Sequence, residues 1–182
     1  MFSLVFTRRY AMAHRLISGG SEKCATPHGH NEFVTVTLQA TAPKRLDADV
    51  NMVESFESAK TTWHHWIDDC VDHALQLSDS DPLLGWFTAH EPHRLKRILI
   101  TPGDPTTEML ACCFMAKLNT ILASEGGRLR CVRIEIEETP TNKVTFDGDP
   151  LATLPYAQEG TVWWLRPDDS INDLKYPSLA LR

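Results

Sequence analysis

Apolar and polar residues alternate along the first stretch of the chain. Leu4 and Phe6 take turns with polar or small neighbours, and Tyr10, Met12 and His14 share one parity. This predicts a strand from Ser3 to His14. The segment "ISGGSEKCATPHG" carries turn residues and reads as a loop. Alternation resumes in "HNEFVTVTLQA", where Val34, Val36 and Leu38 face one way and Thr35 and Thr37 the other. That is a second strand, expected to pair antiparallel with the first. The period then lengthens. Phe56, Ala59, Trp63, either Trp66 or Ile67, and Cys70 recur at helical spacing, with Ser55 as the cap. One helix is predicted to run through "VDHAL", followed by a polar connection and a short strand in "RLKRILIT".

The second helix is predicted in "GDPTTEMLACCFMAKLNTIL", with Asp104 as N-cap, Pro105 as its first residue, and Gly126 and Gly127 as its stop. Period two returns in "LRCVRIEIEET", which sets Val132, Ile134, Ile136 and Glu138 on one buried face. "KVTF" and "TVWWL" are further strand-like pieces. Strands, two helices, then strands predict an α+β fold with an antiparallel sheet.

Composition narrows the function. The 182 residues are 42% hydrophobic and fit one domain with a sizeable core. A net charge of −6 with no dense basic stripe argues against a nucleic-acid partner. No apolar run approaches a membrane span, and Arg8 and Arg9 interrupt the apolar start, so a cytoplasmic protein is expected. Five cysteines without framework spacing point to free thiols.

The chemistry begins in "EKCATPHGH". His28 and His30, two apart on a strand, face the same way. Pairing of the first two strands brings His14 beside them, and three imidazoles with an open fourth position suit a catalytic zinc. Cys24 is either a fourth ligand, which makes the site structural, or a reactive thiol near the metal; spacing does not choose. Asp72 and His73 are sequence neighbours and do not share a helical face. Glu138 continues a buried strand face, where a carboxylate needs a partner such as paired N–H donors, unless the strand has already reached water.

These pieces together resemble the 6-pyruvoyltetrahydropterin synthase and 6-carboxytetrahydropterin synthase family. The resemblance runs from Phe2 to about Phe146 and rests on "FTRRYAMAHRL", "KCATPHGHNEFVTV", "NMVESF", "VDHAL", "DPTTEMLA" and "IEIEET". It implies a tunnelling fold: a four-stranded antiparallel sheet with two helices on one face, oligomerising into a barrel of trimers or a hexamer with sites at subunit interfaces. It implies Zn2+ on His14, His28 and His30, Cys24 as catalytic base, and Asp72 with His73 as the proton-transfer pair. Glu138 would anchor a pterin ring, beside Thr106, Thr107 and Glu108. The implied substrate is 7,8-dihydroneopterin triphosphate. The preferred product is 6-carboxy-5,6,7,8-tetrahydropterin, of 7-deazapurine (queuosine) synthesis, with triphosphate and acetaldehyde released. The alternatives are the 6-pyruvoyl product of tetrahydrobiopterin synthesis, or a non-catalytic zinc- or pterin-binding protein. Arg8, Arg9, Arg15 and Lys23 are candidate triphosphate contacts. The chain departs from the family at Ser55 and Leu77, in a long connection over about 78–94, and in an extension over about 147–182.

Overall fold

A computed structural model describes residues 2–155 and 162–174. Two long strands, β1 (Ser3–His14) and β2 (His28–Ala40), pair antiparallel along their whole length, from Ser3 opposite Gln39 to His14 opposite His28. Between them lies a four-residue helical turn, α1 (Glu22–Ala25). Strands β5 (Leu129–Thr139) and β6 (Asn142–Phe146) extend the sheet antiparallel beyond β2. The expected four-stranded antiparallel sheet is thus present. The helices α2 (Phe56–Trp66) and α4 (Thr107–Ser124) supply the apolar partners of its inner face.

Two short parallel strands enlarge it. β3 (Ala74–Ser78) pairs with the end of β1, and β4 (Ile98–Thr101) pairs with β3. The six-stranded order is β4-β3-β1-β2-β5-β6. β3 replaces the end of the predicted first helix. Ser55 does cap α2, but the helix widens into a π turn at Ile67–Val71. His73 then adopts φ +62°, and the reversed chain runs beside β1. The connection holds α3 (Pro82–His90), capped by Asp81, where the sequence suggested an irregular segment. Leu83, Leu84 and Phe87 of α3 pack on a second apolar cluster of Leu77, Leu95, Ile98 and Ile100.

β5 departs from strict alternation. Its register against β2 slips between Thr37 and Leu38, leaving Val132 as an extra residue. Cys131 and Leu129 therefore turn inward, and Val132 is half-buried instead of continuing the row of Ile134 and Ile136. Asn119 of α4 bonds both backbone groups of Cys131 beside the slip (2.7 and 3.2 Å), so the bulge leaves neither unpaired.

α4 is apolar on nearly every side because it is covered twice. The sheet takes one face, and the 162–174 segment takes another with Trp163 and Trp164. "TVWWL" does not form the suggested strand: Trp163–Leu165 is a 3-10 turn, and Thr161 lies outside the described residues. Lys117, fully buried on α4, donates to the carbonyls of Trp163 (3.2 Å), Arg166 (2.6 Å) and Asp168, and its ammonium stands over the Trp66 ring. Burial lowers its pKa to about 8, against the pull of Asp168. Lys117→Met would take the Lys117 donor from the Arg166 and Asp168 carbonyls, each costing about 1–3 kcal/mol, while the Trp163 carbonyl keeps Arg166 N–H. Loss of about 2 kcal/mol or more in urea denaturation is the expected outcome.

Candidate active site

The β1–β2 ladder sets His14 opposite His28 and Met12 opposite His30. His14, His28 and His30 then project from the inner face, and one ring nitrogen of each falls within 4.8 Å of the others. Gly29 permits this pairing, because a Cβ there would meet the Met12 carbonyl oxygen at 2.6 Å. Nδ1 of His14 lies 3.1 Å from the Pro105 carbonyl, and Nδ1 of His28 lies 2.9 Å from the Thr26 carbonyl. A carbonyl accepts and cannot donate, so both Nδ1 atoms carry a proton, and in the neutral form of each ring the lone pair is on Nε2. Those Nε2 atoms face each other at 3.2 Å. Two lone pairs so close repel unless a cation sits between them. The spacing also matches a tetrahedral edge of about 3.3 Å, given Zn–N bonds of about 2.0–2.1 Å. Burial lowers the pKa of His14, which keeps that ring neutral and able to ligate; the Pro105 carbonyl opposes this in part. The residues fit a divalent metal.

Beside the cluster lies an open cleft of about 470 Å3, lined by His14, Thr107, Glu108, Glu138, Asn142 and Lys143 among others. Hollows of about 680 and 730 Å3 elsewhere contain none of the predicted site residues. Glu138 sits where the β5–β6 register slips between Glu137 and Thr139. The slip turns its half-buried carboxylate toward α4, where Thr107 Oγ1 donates to Oε1 at 3.1 Å. Thr106, and not Asp104, caps α4 by accepting from Met109 N–H; Pro105 precedes that cap, and Glu108 is exposed at the cleft.

Cys24 lies on α1 in the loop that follows His14. Ser21 Oγ caps that turn and lies 3.3 Å from the Cys24 sulfur. The sulfur is outside the histidine group. Asp72 and His73 bond each other at 2.8 Å, and the His73 side chain is 78% exposed. Burial pushes the Asp72 carboxyl up, but bonds from Ala11 N–H and His73 outweigh it and hold its pKa below the ordinary value. The pair stands at the sheet edge beside Ala11, also outside the histidine group. The structure therefore brings together two constellations, three histidines near Glu138 and the Asp72–His73 pair, and does not join them within one chain. Of the candidate phosphate contacts, Arg8 is held by both oxygens of Asp68, Arg15 by both of Asp81, and Arg9 by Asn31.

Sequence reasoning missed Tyr10 and Glu32. Glu32 is fully buried, shares the parity of Val34 and Val36, and would stand opposite Glu138 if the β2–β5 register ran one step further. Tyr10 donates its hydroxyl to Oε2, and Oε1 has no partner among the described residues. Its inward parity was the available signal.

The family model of 6-pyruvoyl tetrahydropterin synthase matches residues 3–149. The chain belongs to this family. A 6-carboxy-5,6,7,8-tetrahydropterin synthase of Rickettsia bellii is 29% identical over 136 residues, 74% of this chain and 93% of the relative. One of Rickettsia typhi is 32% identical over 107 residues, 58% of this chain and 72% of the relative. Among solved structures, an uncharacterised protein of Wolinella succinogenes superposes with a TM-score of 0.64 at 18% identity, covering 81% of this chain and 98% of that one. The 6-pyruvoyl tetrahydropterin synthase of Caenorhabditis elegans gives 0.55 at 23%, covering 81% and 96%. These structures establish the tunnelling fold. Among the described residues no helix is long and apolar enough to cross a membrane.

Burial chiefly, with the charge of Glu138, raises the Glu32 pKa from an ordinary 4.5 to about 7, while the Tyr10 bond pulls the other way. Between those values the folded protein holds a proton that the unfolded chain releases. This contribution to stability is complete below about pH 4.5 and is lost as pH rises through about 7. A shift of this size is worth about 3 kcal/mol. Urea denaturation of the metal-free protein across this range should show the fall, and Glu32→Gln, which keeps an acceptor for Tyr10, should flatten it.

Proposed function

We propose that this pterin synthase is zinc-dependent and converts 7,8-dihydroneopterin triphosphate to 6-carboxy-5,6,7,8-tetrahydropterin, releasing triphosphate and acetaldehyde. The observation that carries the reading is the facing pair of Nε2 lone pairs on His14 and His28, with His30 beside them, at the mouth of a cleft that holds Glu138. The names of the curated relatives favour the 6-carboxy product. Five free thiols accord with a cytosolic setting.

The chain's own groups divide the work. Glu138, steadied on one oxygen by Thr107, would accept from the 2-amino and N3–H groups of the pterin. Cys24 would take a proton from a side-chain carbon that bears a hydroxyl. His73, oriented by Asp72, would deliver or accept the second proton. Its exposed position at the sheet edge suits a site completed by a second copy of the chain, as in the barrel assembly that the fold implies. His14, His28 and His30 would hold the zinc, which when bound supplies a Lewis acid for the side-chain oxygens.

The test is incubation with 7,8-dihydroneopterin triphosphate, with pterin products identified by mass and triphosphate measured. Cys24→Ala should keep its zinc and lose turnover by about 10²–10⁴-fold. Loss of zinc together with stability in that variant would make the site structural, and pterin binding without triphosphate release would make the protein a binder.

A further inference from the structure

The sequence suggested Asp104 as the cap of α4, but the structure gives its carboxylate a different task. Oδ1 accepts from Ile17 N–H at 2.9 Å, and Oδ2 accepts from Ser18 N–H at 2.8 Å and Gly19 N–H at 3.0 Å. Three successive backbone donors thus converge on one anion. They belong to the loop that carries Cys24, which has no strand on which to lean. Leu16 N–H also bonds the Cys24 carbonyl, at 2.8 Å. Gly20 lets the loop close tightly, since a Cβ there would lie 2.8 Å from Cys24 Cβ and 3.0 Å from Leu16 Cβ. Two adjacent glycines make such a loop costly to order without a tether.

The next residue ties the other half of the site, because the Pro105 carbonyl fixes the His14 ring. Asp104 and Pro105 therefore hold the thiol-bearing loop and a metal-binding side chain from one short, proline-stiffened piece of backbone. On the reading of Cys24 as the base, we infer that Asp104 is a positioning residue that sets the Cys24 loop against the three-histidine site. It touches neither substrate nor metal and acts through the loop.

The test compares Asp104→Ala and Asp104→Asn with the zinc-loaded full chain. Hydrogen exchange at Ile17, Ser18 and Gly19 should quicken at least about tenfold in Asp104→Ala. Its kcat should fall by about 10–100-fold, because a misplaced reacting group costs on that order. Its KM and zinc content should stay within about twofold. Asp104→Asn should recover much of the kcat, since Ser18 and Gly19 share one oxygen that an amide also provides. Unchanged exchange, or fast exchange with full kcat, would overturn the inference. Cys24→Ala separates the two possible failures. If that variant turns over normally, the thiol is not the base and the proposed function falls. If it is inactive while Asp104→Ala keeps its kcat, the thiol stands and the tether falls.

Discussion

Twelve consecutive antiparallel pairs between β1 and β2 fix which residues meet at the end of the sheet. A slip of one residue would turn every side chain of one strand to the other face. His14 would then lose both His28 and His30, and Val34, Val36 and Leu38 would leave the core they fill without exposure. The free energy that buries those three residues therefore also holds the histidines in register. Repulsion between neutral rings 3.2 Å apart is small against it, so the pre-formed ligand set persists before any metal arrives.

The second organising element is the tetrapeptide Asp104–Thr107 that leads into α4. Asp104 holds the loop of Cys24, the Pro105 carbonyl orients His14, Thr106 caps the helix and Thr107 steadies Glu138. Four groups from different parts of the chain thus depend on one turn. A helix cap built from Asp104 would have consumed the carboxylate that the loop uses. With Thr106 in that role, the helix starts two residues later than the sequence suggested, and Asp104 is free for tertiary bonds.

Strand pairing, the two long helices and the three-histidine set were legible because each follows from local periodicity. The parity of β1 and β2, once paired, is enough to place His14, His28 and His30 together. What escaped were features decided by non-local contacts. The β5 bulge at Val132 depends on Asn119, ten or more residues earlier in α4, and it shifts which residues are inward. β3 was hidden in a helical pattern because Ile67 to Val71 remain helical in character while His73 reverses the chain with a positive φ. Helix α3 was hidden by its proline and polar flanks; its cap, Asp81, is held by Arg15, the residue after His14. Asp72 and His73 were paired only by the family resemblance; their 2.8 Å hydrogen bond and the exposed place of His73 could not come from spacing.

The placement of the chemistry follows a physical division. The three histidines that would hold a cation sit on paired strands, where backbone hydrogen bonds and a buried face remove their freedom. Cys24, Asp72 and His73, the groups proposed to meet the substrate, sit on α1 and on the turn before β3. There, carboxylates accept from backbone N–H groups, as Asp104 does from Ile17 to Gly19 and Asp72 from Ala11. Each such bond contributes on the order of 1–3 kcal/mol, far less than a strand's full set of contacts. The loops are thereby ordered, and the one that carries Cys24 also reaches the histidines, through the Thr26 carbonyl on His28 Nδ1. On the proposed function, the groups that meet the substrate are thus held more lightly than those that would hold the metal.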